Sequence, residues 1–229
     1  MLRHLPEHAV QYATYGRTAA VDAPASLATL PDDWASTPWS VAVATSADAD
    51  AAGDLWLTAE ERAACGRLVS DAARADFRAS RLAARRALTA LGGSSSPATL
   101  SLSHRLGRGA AAAVPAASGV RVGVDLELGG SVPPECARYF LTAAERDEGA
   151  RGNVDLAALW ALKEAAWKAL AVRDTVCFSA LELAIDPRAS SMVRAVTLHG
   201  RTRPAAGAVS EPWPGWRLAV VRVACGERS

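Results

Sequence analysis

"VRVGVDLEL", residues 120–128, alternates without a break between apolar side chains and others. A strand turns successive side chains to opposite faces. Val122, Val124, Leu126 and Leu128 therefore share one face, and Gly123, Asp125 and Glu127 share the other. The apolar face predicts core. The second face carries two carboxylates about 6.6 Å apart along the strand, with a glycine that leaves room beside them. Two readings of that face stand. It is either the solvated side of an antiparallel sheet or a seat for a hard cation, because Mg²⁺ takes one or two carboxylates, keeps waters and accepts phosphate oxygens for the rest.

Downstream, "LAALWALKEAAWKAL" (156–170) has the period of a helix. At about 100° per residue, Leu156, Leu159, Trp160, Trp167 and Leu170 gather on one side, and Lys163 falls inside that arc. Glu164 lies just past Trp160, with Lys168 one step further out. On a solvated face Glu164 and Lys168 would form an i,i+4 pair worth a few tenths of a kcal/mol. Joined to Asp125 and Glu127, Glu164 would instead be a third carboxylate of one site. Lys163 needs another account, since a buried ammonium must find an anion, snorkel out or give up its proton.

Comparing the chain with itself gives an organisation. "LTAEERA" at 57–63 recurs as "LTAAERD" at 141–147. Each copy opens with a capping-box signature, Thr58 with Glu61 and Thr142 with Glu145. A strand pattern precedes each copy (39–46 and 120–128) and a long helix follows (76–88 and 156–170). Further strands follow at 98–104 and 110–114, then at 178–185, 193–200 and 216–223. The chain reads as two α/β halves meeting near Pro115–Gly119, each too small to stand alone and so packed into one unit. Residues 1–35 have no clear periodicity and are expected to form a surface-lying extension.

Composition narrows the function classes. Half of the 229 residues are hydrophobic, and 25 Lys and Arg nearly balance 24 Asp and Glu. No basic excess points to nucleic acid. No apolar run reaches the roughly 18 residues of a membrane span, and MLRHLPEHAV has His and Glu where a signal peptide is expected to be continuously apolar. Cys65, Cys136, Cys177 and Cys225 are scattered, without a Cys-x-x-Cys. They read as reduced thiols of a cytoplasmic protein, with no zinc site indicated.

In that order and spacing, "GVDLE" (123–127) and "WALKEAAWK" (160–168) resemble the motifs of the 4′-phosphopantetheinyl transferases, in particular the surfactin-type group with two similar halves in one chain. The helix motif is matched at Trp160, Lys163, Glu164, Ala165 and Lys168 without mismatch. "SLSH" (101–104), "FRASRLAARRAL" (77–88) and "YFLTAAE" (139–145) fit lesser family features, so the resemblance covers roughly residues 39–190. It implies an α+β fold of two similar α/β halves related by a pseudo-twofold axis: residues 1–116 with the N-terminal extension, and 117–229 carrying the metal motifs.

The resemblance also implies an activity. The family transfers the 4′-phosphopantetheine of coenzyme A to a serine of an apo acyl or peptidyl carrier protein of a polyketide, nonribosomal peptide or fatty acid synthase. Adenosine 3′,5′-bisphosphate is released. Asp125, Glu127 and Glu164 would hold Mg²⁺, or Mn²⁺ in its place; Glu164 would act as the base and Lys168 would steady the leaving phosphate. His104 and Ser103 would contact coenzyme phosphates. Arg81 and Arg85 would either bind the 3′-phosphate or lie solvated on their helix. Lys163 would be held by the acidic cluster or the bound diphosphate, so that Lys163→Met should leave the apo protein little destabilised or even stabilised while transfer falls. With both halves in one chain, a monomer is expected.

The sequence also departs from the family. A Gly-Lys-Pro segment common before the Ser-His motif is missing, "GGSSSP" (92–97) running straight to the strand. Arg105 follows the histidine where relatives carry a small residue. Glu61 and Ala64 occupy positions often basic in relatives. These differences keep open a non-catalytic or repurposed protein of the same fold that binds carrier proteins. A Mg²⁺-dependent phosphohydrolase has less in its favour, because no separate water-activating motif is present.

Overall fold

A computed structural model describes residues 37–92, 97–149, 155–172, 177–186 and 189–225. The expected N-terminal extension and most of the "GGSSSP" stretch lie outside the described residues. The alternating stretch forms strand β4 (Val120–Leu128), and it is an edge of a five-stranded antiparallel sheet. Its partners are β5 (Leu181–Asp186), β6 (Ala189–Leu198), β7 (Arg201–Ser210) and β8 (Trp216–Ala224), in the order β4-β8-β7-β6-β5. A second, three-stranded antiparallel sheet is built from β1 (Ser40–Thr45), β2 (Ala98–Arg105) and β3 (Arg108–Pro115), in the order β1-β3-β2.

Period-two alternation then sets the layers. On the small sheet Ala42, Ala44, Ala111 and Ala113 face the long helix α3 (Asp71–Ala90) through Ala83, Ala84 and Ala87. The alternate residues Val41, Ala110, Ala112 and Val114 pack on Val122, Val124, Leu126, Leu218 and Val220 of the large sheet. Helix α6 (Leu156–Leu170) covers the other face of the large sheet, burying Leu162, Ala165 and Ala169 against Leu181, Ala219 and Val221. The order is helix, sheet, sheet, helix, in a mixed α/β fold. The apolar face predicted for β4 is the core between the sheets, and its polar face looks toward α6.

Gly123 does something other than leave room. A Cβ there would sit 1.8 Å from the Ala165 carbonyl oxygen and 2.8 Å from the Ala169 nitrogen. The space beside the carboxylates is filled by the backbone of α6. Gly109 on β3 is pressed in the same way against α3, 2.3 Å from the Ser80 nitrogen.

The shorter helices are α1 (Ser46–Ala51), α2 (Ala59–Gly66), α4 (Ala137–Phe140) and α5 (Ala143–Gly149). The two similar heptapeptides have the same local structure. Thr58 and Glu61 form a reciprocal capping box at α2, and Thr142 and Glu145 form another at α5. The guanidinium of Arg62 donates back to the Leu57 carbonyl, and that of Arg146 donates back to Leu141.

Strand β7 was not expected from sequence. Its "RTRPAAGAVS" has small residues in place of an alternating pattern, and it includes a proline. Pro204 is paired with Ala195 beside a register break in β6, where a missing N–H costs no regular ladder bond. Two-residue turns close β2–β3 (Leu106, φ 49°; Gly107, φ 72°) and β6–β7 (His199, φ 49°; Gly200, φ 72°). Both have the paired left-handed residues that tight hairpins require. No helix among the described residues is long and apolar enough to cross a membrane.

Candidate active site

The site forms where the edges of the two sheets meet. An edge strand leaves alternate N–H groups unpaired, and β4 presents those of Val124 and Leu126 to β2. Serines at the same spacing receive them: Val124 N–H donates to Ser101 Oγ at 3.0 Å and Leu126 N–H to Ser103 Oγ at 3.2 Å. The Ser103 hydroxyl, already an acceptor, donates its own proton to Asp125 Oδ1 at 2.9 Å. The "SLS" of β2 is thus a seam between sheets, and it fixes the first carboxylate.

Asp125, Glu127 and Glu164 converge, each offering a carboxylate oxygen within 4.8 Å of the other two. Glu164 comes from α6, one turn before Lys168. The Lys168 ammonium spends its three donors on Asp125 Oδ1 (2.8 Å), Glu164 Oε1 (3.2 Å) and the Val124 carbonyl (3.1 Å). The i,i+4 pair read from the sequence does form, but Lys168 also binds Asp125, and Glu164 converges with the other carboxylates. Glu127 accepts from Ser131 Oγ at 3.0 Å and is paired with the Arg105 guanidinium at 2.9 and 3.0 Å.

Electrostatics follow from this crowding. Burial raises the pKa of Glu164, and the Asp125 charge raises it further against the pull of Lys168 and a hydrogen bond from Trp160. Burial and Asp125 likewise raise Glu127, opposed by Ser131 and Arg105. Burial works to lower Lys168, but Asp125 and Glu164 outweigh it and hold the ammonium above the ordinary lysine value. Asp125 is only 3% exposed, and its Oδ2 is buried without a hydrogen-bond partner.

The other candidates separate into two groups. His104 ends β2 beside the cluster and is open to solvent. Partial desolvation nonetheless lowers its pKa below 6.5; Asp76 and Asp125 oppose this, while Lys168 and Arg81 add to it. Arg85 is tied to the α2 capping-box carboxylate, Glu61, at 2.9 Å, with Arg81 3.8 Å from the same residue. Arg81 also lies over the Phe77 ring and Arg85 over Trp56. Both arginines therefore carry a structural load within the N-terminal part.

Lys163 is corrected by the structure. It is fully buried and donates to the Phe140 and Leu181 carbonyls at 2.6 Å each and to Glu145 Oε2 at 2.5 Å. Its anion is the capping-box glutamate of α5, not the acidic cluster. The reason is angular: one residue from Glu164 is about 100° around the helix, which turns the ammonium toward α4 and β5. Ser101 and Ser131 were missed. The serine spacing matching the β4 alternation was a usable signal for the first, whereas a lone serine after Gly129–Gly130 offered none for the second. Arg105 stood out in the sequence only as a departure.

An orphaned, buried carboxylate oxygen with two further carboxylates around it suits an oxygen-seeking divalent cation such as Mg²⁺ or Mn²⁺. Lys168, Arg105 and His104 stand beside this cluster. Residues 121–221 match the model of the 4′-phosphopantetheinyl transferase superfamily. That span contains β4 from its second residue, α6 and all three carboxylates but excludes Arg81, Arg85, Ser103 and His104. Among solved structures the chain is similar to the holo-[acyl-carrier-protein] synthase of Thermotoga maritima, at 21% identity and a TM-score of 0.38. The match covers 45% of this chain and 62% of that one. No curated protein matches the chain.

Proposed function

We propose that the protein transfers the 4′-phosphopantetheine of coenzyme A to a serine hydroxyl of an apo carrier protein. The observation that carries this reading is the Asp125/Glu127/Glu164 cluster with its orphaned oxygen, inside the segment matched by the family model. A divalent cation held by these three residues would neutralise charge on the diphosphate oxygens. Glu164 lies at the open side of the cluster with a raised pKa, which suits it to take the proton of the attacking serine. The new bond joins the serine oxygen to the β-phosphorus, and the bond to the bridging oxygen breaks. Adenosine 3′,5′-bisphosphate leaves with the electron pair. Lys168, held above the ordinary lysine value, is a cation throughout and can share a proton with the leaving phosphate in place of one carboxylate. His104, neutral at pH 7, would donate a hydrogen bond to a coenzyme phosphate, and Arg81, near it, would meet another, with Arg85 behind.

The recurring capping boxes and helix-on-sheet glycines support reading residues 1–116 and 117–229 as two related halves in the surfactin-type manner. With the cluster in one half and His104 in the other, the active unit would be a monomer. The carrier protein would be an acyl or peptidyl one in the cytoplasm. The test is incubation with coenzyme A, Mg²⁺ and an apo carrier protein, read by intact mass. Gain of one phosphopantetheine by the carrier is expected, lost in EDTA and in Asp125→Ala. Coenzyme binding without any mass gain would leave the non-catalytic carrier-binding reading in its place.

A further inference from the structure

The geometry points to Arg105 as a tethered counter-cation that occupies Glu127, competes with metal for it and is displaced as the site loads. The inference rests on the metal reading of the cluster. The five charged groups carry three negative and two positive charges, and the two cations are held differently. Lys168 bridges two carboxylates and is pinned to a backbone carbonyl of β4, so it belongs to the frame. Among the described residues Arg105 is bound to Glu127 alone, through both carboxylate oxygens, and its side chain is 42% exposed. The hairpin carrying it is anchored. Gly107 N–H donates to Asp76 Oδ1 at 2.5 Å, and Ser46 N–H donates to the Gly107 carbonyl at 2.6 Å. Movement would therefore be that of the side chain, with the loop staying in place.

A divalent ion needs an oxygen at about 2.0–2.1 Å and competes for Glu127 with a guanidinium 2.9–3.0 Å from both of its oxygens. An ion that takes those lone pairs displaces Arg105, and the cluster loses that counter-charge as the metal enters. A partly exposed ion pair of this kind lowers metal affinity by about 1.5- to fivefold. Once released, Arg105 stands at the mouth of the site as a cation without a carboxylate, which favours a phosphate-bearing ligand entering with the metal or after it.

The test is Mn²⁺ binding to metal-stripped protein without coenzyme, read from the electron paramagnetic resonance of the free ion. Arg105→Gln should bind Mn²⁺ about 1.5- to fivefold more tightly than wild type, Arg105→Lys should stay near wild type, and Ser131→Ala should gain nothing. Asp125→Asn should abolish binding in any background. Binding by Arg105→Gln equal to or weaker than wild type, with Asp125→Asn still inactive, overturns the counter-cation and leaves the metal reading standing. Absence of binding by every form overturns both. A second readout on the unaltered protein is the Arg105 Nε–H resonance during a Mg²⁺ titration. Mobilisation of the guanidinium as metal fills supports displacement, and an unchanged resonance contradicts it.

Discussion

Replacing Lys163 by methionine should strongly destabilise the protein, contrary to what the sequence suggested. The side chain is wholly enclosed, and its ammonium serves two carbonyls and the Glu145 carboxylate. Methionine fills the aliphatic part of that space but leaves three acceptors facing each other. Breaking a buried pair by removing one partner costs about 3–5 kcal/mol, because the remaining charge stays desolvated. Glu145 keeps the N–H groups of Thr142 and Leu183 as donors, at 2.7 and 3.0 Å, which argues for the lower end, about 3 kcal/mol. In a chain of this size that corresponds to a fall in melting temperature of roughly 6–12 °C.

Thermal and urea unfolding followed by circular dichroism would measure the loss. The companion variant Glu145→Gln separates charge from shape: the double variant should be less damaged than the sum of the singles, by about 1–3 kcal/mol. Burial pulls the Lys163 pKa down while the bond to Glu145 opposes that, so the pair is held together by mutual need and not by a large net gain. A Lys163→Met protein melting within about 2 °C of wild type, a loss under 1 kcal/mol, would refute the reasoning and return the residue to the role of a ligand contact.

Glu164→Gln should lower kcat at least ~10²-fold with an almost unchanged melting temperature, since it removes a half-buried charge that Asp125 repels; a stable variant with wild-type turnover would rule out Glu164 as the base. His104 should titrate below 6.5, with its imidazole resonances as the readout. The unfolded state then binds more protons between the folded pKa and 6.5, so stability falls as pH drops through that window and is flat above it; a folded pKa above 6.5 would contradict the desolvation described. Gly123→Ala should cost more than about 3 kcal/mol, since its Cβ meets backbone and not a movable side chain, whereas a near-neutral result in urea unfolding would mean that α6 can slide.

What could be read from the sequence was what is written locally. The alternation of 120–128, the capping boxes and the helix of 156–170 each depend on neighbours within a few residues, and the structure forms them as read. Strand β7 was invisible because Ala205–Ser210 has mostly small side chains on both faces and Pro204 argues against a strand until the register break in β6 is known. The three-carboxylate cluster was foreseen as chemistry, but its wiring was not. The Ser101 and Ser103 hydroxyls cap β4 because two sheets happen to meet edge to edge, and the Arg105–Glu127 pair joins a hairpin tip to that same edge. Such contacts join residues more than twenty positions apart; the matched serine spacing was a signal for the first, and no periodicity announces the Arg105–Glu127 pair. Lys163 fell between these cases: the need for an anion was legible, and the identity of the anion was not.

The adjacency of Lys163 and Glu164 has a mechanical meaning. Helix α6 is gripped on one flank by the Lys163 bonds to α4, α5 and β5 and underneath by the contact of its backbone with Gly123. On the other flank it presents Glu164 and Lys168 to Asp125. A side-chain end lies about 5 Å from a helix axis, so a rotation of only 20° would move it by roughly 2 Å. That is enough to break every bond Lys168 makes at 2.8–3.2 Å and to pull Glu164 away from the other carboxylates. The fixed angle of about 100° between consecutive residues means that pinning the ammonium also sets the direction of the carboxylate. Glu164 can then meet Asp125 and Glu127 from a separate element without a covalent link, and Lys163 contributes to the site as the residue that stops the helix from turning.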